Sequence, residues 1–393
     1  DMRLPTTGLV CGALVFGASL TATSTRTTTS TPVTSPTTGQ LTTVAHGVQK
    51  VTLTGPKKRY AGQRVKLKGV ADARRVRIQR KTNRGWVTER RTKVRSNKRY
   101  AARVKPRPGR TKYRAVTRHG RSKKHVVRVV KAPPPAPTDA CGTQPLKADG
   151  SRWQCTFNDE FDGTALDRTQ WKVQTNQWSG TLLARACTRD DPRNISVSGG
   201  TLQLTVREGG LLTECPGGLL PSQYSSGSIS THRLFGQQYG RFEARVRTMA
   251  TNEPGLQEAF WMWPDDRYPS STTWPEAGEI DVAETYSYYP KLAIPYLHYT
   301  KNDNGGPIPG VNTAWDCLAD RGVFNTYTLI WGPSRIEILV NGKTCLVNTS
   351  GDPAFRKPYI LLLTVGLGRS LNAKTSRTPL PATTHVDYVR VWK

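Results

Sequence analysis

The feature that most constrains this chain is a period of two. In RVKLKG, RVRIQR, TLQLTV, RFEARV, RIEILV and HVDYVRVW apolar and polar residues alternate, and no long stretch keeps a helical repeat. Alternation sends successive side chains to opposite faces of an extended strand, so the chain is expected to be all-β. Its 393 residues are too many for one ordinary domain, and hydrophobic residues at 36% suffice to build cores. No uninterrupted apolar run approaches the roughly 20 residues that a bilayer-spanning helix needs, so no transmembrane segment is expected.

Charge divides the chain. Residues 46–131 hold 31 Lys/Arg against 2 Asp/Glu, whereas residues 139–393 hold 25 of each, so the net charge of +30 belongs almost wholly to one module. Two linkers flank that module. Residues 23–45 are mostly Thr, Ser and Pro, and residues 132–138 read APPPAPT, a proline-stiffened spacer. Ahead of them, the 13 residues 8–20 form an apolar stretch after Arg3, too short to span a membrane, with small residues beyond it. Residues 1–22 therefore read as a secretion signal cut near Ala22, which makes the protein extracellular. Cysteine usage agrees with export: Cys11 falls in the signal, and six remain at 141, 155, 187, 215, 317 and 345. Among 15 connectivities, sequential pairing is expected because each bridge would close a local loop.

Short strands recur about every ten residues in the basic module, enough for seven in a small sandwich. VTLTG, Trp86 in GWVTE and TKYRAV resemble the immunoglobulin-like β-sandwich domains appended to secreted bacterial enzymes. Lys and Arg take the outward positions of these strands. A soluble spacer is the plainer reading, but the charge far exceeds the net charge of about 2 to 8 that suits a small domain. An anionic partner is expected: a wall polymer, lipid head groups or an acidic polysaccharide, retaining the protein at a cell surface. No dedicated nucleic-acid partner is expected, because aromatic residues are not interleaved with the charges.

In the neutral region one strand, AGEIDVAET, carries Glu279, Asp281 and Glu284. Glu279 and Asp281 share parity and a sheet face, while Glu284 has the opposite parity. A common site requires one extra residue, a β-bulge at Val282 or Ala283. Two carboxylates brought to about 5.5 Å at an effective dielectric of 20 repel by roughly 3 kcal/mol, or about two pKa units. One then stays ionised while its neighbour holds a proton, the division of labour that retaining glycosidic cleavage needs. Asp281 between them would couple their titration and orient the nucleophile. A solvated polar face is the alternative for any acidic triplet. Trp261, Trp263 and Trp274 favour a sugar groove over that alternative, since aromatic rings stack on sugars, although core packing is the commoner fate of tryptophan. His298 in YLHYT falls on the next strand, where it would contact the acid carboxyl or a substrate hydroxyl, or serve only structure.

WPEAGEIDVAE resembles the active-site strand of glycoside hydrolase family 16. FNDEFDGTALDRTQW, YGRFEARVR, AFWMWP and VDYVRVW fall around it in the order that family uses, over about three fifths of the chain. The resemblance implies a β-jelly-roll sandwich of two curved antiparallel sheets with a concave substrate cleft, acting as a retaining endo-hydrolase of a β-linked polysaccharide. It makes Glu279 the nucleophile, Asp281 the intervening aspartate and Glu284 the general acid/base. The six-residue ExDxxE form is similar to the laminarinase-like branch that cuts β-1,3-glucans. No cofactor is implied for catalysis. A structural calcium is, with Glu160 and Asp387 at positions resembling its ligands. Gln257 and Glu258, where that branch commonly has Trp-Pro, and LGRSLNAK after YILLLTVG depart from it in segments expected to line the cleft. Another β-glucan or a galactan, a transglycosylase, and a non-catalytic polysaccharide-binding protein are the alternatives. A monomer is expected.

Overall fold

Alternation becomes strand throughout. The computed structural model describes residues 51–131, 136–212, 215, 221–299, 308 and 311–393. The signal and the Thr/Ser/Pro linker expected before residue 46 lie outside the described residues, as do residues 132–135 of the proline-rich spacer. Among the described residues there is no α-helix, and the helical pieces are single 3-10 turns such as Pro353–Phe355. The chain divides into two compact units with a boundary at residues 135 and 136.

Among the described residues the basic unit has seven strands: β1 (Lys58–Tyr60), β2 (Val65–Val70), β3 (Arg75–Thr82), β4 (Gly85–Lys93), β5 (Arg99–Val104), β6 (Gly109–Val116) and β7 (His125–Val130). Five form one sheet in the order β1-β7-β6-β3-β4, and β2 pairs with β5 in a second. Val65 and Leu67 from the small sheet meet Val76, Ile78, Tyr113 and Val127 from the large one in a shared core. All of these but Val127, which has Val126 on one side, are flanked by polar or cationic neighbours that point outward, so the sequence alternation and the burial alternation largely coincide.

The larger unit is built on a sheet of eleven strands and a sheet of six. The six-stranded sheet runs, edge to edge, Lys172–Val173, Ser228–Ser230, Tyr359–Leu367, Leu256–Pro264, Glu279–Tyr286 and Ile294–His298, with every neighbour antiparallel. The eleven-stranded sheet departs from the fully antiparallel expectation at one place, where Arg185–Thr188 runs parallel to Ser222–Ser226. Leu202, Leu204, Val386 and Val391 of the larger sheet interlock with Phe260, Met262, Ile280, Val282 and Leu361 of the smaller one. Full burial of such side chains stabilises by about 1.5–3 kcal/mol each. Cys141–Cys155, Cys187–Cys215 and Cys317–Cys345 are bridged in the expected sequential pairing, with Cα separations of 5.5, 5.7 and 5.4 Å.

Candidate active site

Three neighbouring strands of the six-stranded sheet make the site: a tryptophan strand (Leu256–Pro264), an acidic strand (Glu279–Tyr286) and a histidine strand (Ile294–His298). Phe260 is opposite Ala283 but Trp261 is opposite Asp281, so Val282 is the extra residue of a β-bulge. The histidine strand shows the same break between Asp281 and Glu284. Its effect is visible in what each side chain touches. Ile280, Val282 and Ala283 all enter the core between the sheets, and Glu279, Asp281 and Glu284 take the opposite face. Gly278 sets the start of the strand: its φ is +88°, and a Cβ there would lie 2.0 Å from the Tyr359 hydroxyl.

All three carboxyl groups are buried, and each has a different neighbour. The Trp274 indole N–H donates to Glu279 Oε2 at 2.7 Å. The Gln257 amide donates to Glu284 Oε1 at 3.0 Å. His298 Nε2 lies 3.3 Å from Asp281 Oδ2, and its ring stacks on Tyr296 at 4.1 Å. Burial first, and the Asp281 charge second, push the Glu279 carboxyl up to about 8, while His298 and the Trp274 hydrogen bond pull it down. Asp281 is also raised well above the ordinary carboxylate range, by burial and then by the charge of Glu284. The titrations of Glu279 and Asp281 are therefore linked, because the charge on Asp281 disfavours charge on Glu279.

The three tryptophans separate. Trp274 lies at the site, with its ring 5.0 Å from His298. Trp263 is half-buried and meets Trp261 edge-on at 6.3 Å. Trp261, expected to stack on sugar, is only 1% exposed: it packs against Ala259, Ile360 and Leu362, and its N–H donates to Thr364. Packing has taken both its faces and its polar handle. His298 likewise serves Asp281, where the sequence pointed to the acid carboxyl or a sugar hydroxyl.

Of the two departures at 257 and 258, only Gln257 faces the carboxylates. Glu258 turns to the other side of the sheet and pairs with Arg321 through both oxygens, at 2.9 and 2.6 Å. In the LGRSLNAK segment, Asn372 is buried and bonds the backbone of Leu256 and Tyr288, which makes it a clamp on the site strands. Sequence reasoning missed Trp178. It borders a hollow with Gln177, Ser179, Gln257 and Thr364 on the carboxylate face. Gly366 admits it: a Cβ there would lie 2.1 Å from Ser179 Oγ, which accepts the Leu367 N–H. The only signal for this was the glycine in TVGLG.

The residues suggested for calcium do not fit that ion. Both oxygens of Glu160 accept hydrogen bonds from Arg390, each at 2.7 Å, and Asp387 accepts one from Arg245. Two guanidinium groups already neutralise the carboxylates that a cation would need.

Residues 184–388 match the family model described as Glycosyl hydrolases family 16. A glucan endo-1,3-β-glucosidase A1 of Niallia circulans is 28% identical over 60% of this chain and 37% of its own length. A β-glucanase of Rhodothermus marinus is 29% identical over 61% of this chain and 85% of its own. A keratan-sulfate endo-1,4-β-galactosidase of Sphingobacterium multivorum is 26% identical over 61% and 55%. The chain thus spans just over a third of the first relative and most of the second. Among solved structures, a non-specific endo-β-1,3(4)-glucanase superposes with a TM-score of 0.53 at 27% identity, covering 63% of this chain and 96% of that one. The catalytic domain of a laminarinase from Thermotoga petrophila RKU-1, at 20% identity and TM-score 0.51, shares the fold over 61% and 98%. The larger unit is the expected β-jelly-roll.

Proposed function

We propose, from the premise that this chain belongs to glycoside hydrolase family 16, that it is a secreted retaining endo-glycosidase cutting a β-linked glucan, β-1,3-glucan first, by double displacement. The observation that carries this reading is the Val282 bulge, which turns Glu279, Asp281 and Glu284 to one face of the sheet. Glu279 attacks the anomeric carbon, and Glu284 gives its proton to the leaving oxygen as the glycosidic bond breaks. Glu284 then takes a proton from water, whose oxygen displaces Glu279 and frees the product. Trp274 holds Glu279 through its indole N–H, Gln257 holds Glu284, and His298 orients Asp281. Of the three tryptophans expected to stack on sugar, Trp263 and Trp274 remain for that contact, and Trp178 joins them on the same face. The relatives named for 1,3-β-glucan favour the substrate. Secretion is supported by three disulfides, which persist in oxidising compartments, and no helix among the described residues is long and apolar enough to cross a membrane.

The test is product analysis. With laminarin, new reducing ends should appear along the chain interior, and NMR of the first-formed product should show the β-anomer before mutarotation. An α-anomer formed first overturns the mechanism. Gln257, an amide beside the acid/base where an indole is common in the laminarinase-like branch, favours galactan as a second substrate, so a galactan panel belongs in the same assay.

Asp281→Asn removes the charge that raises Glu279, so Glu279 gives up its proton at lower pH. The acid limb of kcat/KM should therefore move to lower pH, by on the order of one unit. A limb that stays in place or moves up excludes Asp281 as the group tuning Glu279.

The basic unit, in this proposal, retains the enzyme on an anionic surface polymer. Deleting residues 46–131 should leave hydrolysis of a soluble substrate intact and abolish salt-sensitive retention on such a polymer.

A further inference from the structure

Directly opposed cation pairs are concentrated on one sheet of the basic unit: the β2–β5 sheet has Lys66 opposite Arg103, and the five-stranded sheet has more. On the outward face of its five-stranded sheet, Arg77 lies directly opposite Arg91, Arg75 opposite Lys93, and Arg110 opposite Arg128. All six are exposed. Neighbouring strands lie about 4.8 Å apart, and like charges directly opposite each other destabilise a sheet. The unit's two acids do nothing to relieve them: Glu89 is held by Arg80 at 2.9 Å, and Asp72 lies 3.7 Å from Lys98. A groove of about 950 Å³ follows β7 along the same sheet, with Arg110 and Arg128 in its lining.

A spacer kept soluble by charge gains nothing from stacking its cations in opposed pairs. A surface that receives an extended polyanion does, because each oxyanion then meets two cations at once. We infer that the outward face of the five-stranded sheet is a binding face for an acidic polysaccharide, laid along β7 and across the Arg110–Arg128 and Arg77–Arg91 pairs. This rests on the reading that the unit retains the enzyme on an anionic polymer, and it assigns that role to one of the two sheets. Nucleic acid fits the face less well. Of its two aromatic rings, Trp86 is covered by the Arg114 guanidinium at 4.3 Å and Tyr60 stands alone on the edge strand β1, so the face carries no run of rings on which successive bases could stack.

The test uses the full chain and two four-fold variants of equal charge. One carries R77T, R91T, R110T and R128T on the proposed face. The other carries K66T, K68T, R99T and R103T on the β2–β5 sheet. Affinity for polygalacturonate, read at several salt concentrations, should fall at least tenfold in the first variant, with a flatter salt dependence, and less than threefold in the second. Hydrolysis of a soluble β-glucan should be unchanged in both. Without polymer, the first variant should melt higher than the wild type because opposed cations have been separated. Equal losses in the two variants overturn the assignment to this face. Tighter binding of duplex DNA than of polygalacturonate by the wild type overturns the choice of polymer. A wild-type protein that binds neither at low salt overturns the retention reading itself, while the catalytic assay stands apart.

Discussion

Glu279→Gln is expected to reduce turnover by about 10⁴-fold or more while making the folded protein more stable above neutral pH. The first effect follows from the proposed chemistry, since an amide cannot form the glycosyl-enzyme. The second follows from burial. The folded-state pKa of Glu279 is raised from 4.5 to about 8, so the folded protein binds this proton more tightly than the unfolded chain. Below about pH 4.5 both states are protonated and the carboxyl costs no stability. As pH rises from there to about 8 the unfolded chain loses its proton first, and stability falls by up to about 1.4 kcal/mol per unit. Above about 8 the cost is complete, a few kcal/mol in all. Glutamine carries no charge and keeps an oxygen to accept the Trp274 N–H. Thermal unfolding of both proteins at pH 4 and pH 9 checks this. The variant should gain stability over the wild type only at the higher pH, and equal gains at both would remove desolvation as the cause.

The bulge was legible because a strand's period admits no exceptions. Glu279 and Asp281 share parity, Glu284 does not, and one inserted residue is the least distortion that reunites them. Val282 is that residue. The same rule places Gln257 and Glu258 on opposite faces, because adjacent strand residues cannot line one cleft. What parity does not give is the reach of a long side chain or the partner it finds. Trp261 has the parity of the cleft face and is sealed there by Ile360 and Leu362, about a hundred residues away in sequence. Glu160 and Asp387, which the resemblance suggested as calcium ligands, are taken instead by Arg390 and Arg245. Trp178 arrives from the other sheet, and no local pattern in TNQWSG announces that crossing. Face is a property of the strand and readable; contact is a property of the tertiary fold.

Arg321→Met is expected to destabilise the protein by about 3–5 kcal/mol, although it touches no residue of the proposed catalytic strip. Arg321 and Glu258 are both buried, with side chains 4% and 5% exposed. The guanidinium donates to both Glu258 oxygens and to the Met249 carbonyl, and the Thr285 hydroxyl adds a third bond to Glu258 at 2.7 Å. Removing the arginine leaves a buried carboxylate without its counter-charge, and that uncompensated charge causes most of the loss. Met matches much of the volume that Arg321 filled, so packing contributes little. The double variant E258Q/R321M should accordingly be more stable than R321M alone. Activity should fall along with stability, because Thr285 and Glu258 are cross-strand partners one position from Glu284 and Gln257. This pair fastens the acidic strand to the tryptophan strand from the core side. When it fails, the bulge that aims Glu284 loses its support, and urea unfolding of the three proteins alongside their kcat would show the two losses moving together. An R321M protein as stable as the wild type at neutral pH would mean that Glu258 finds water or a new donor, and that the clamp is not needed to hold the site.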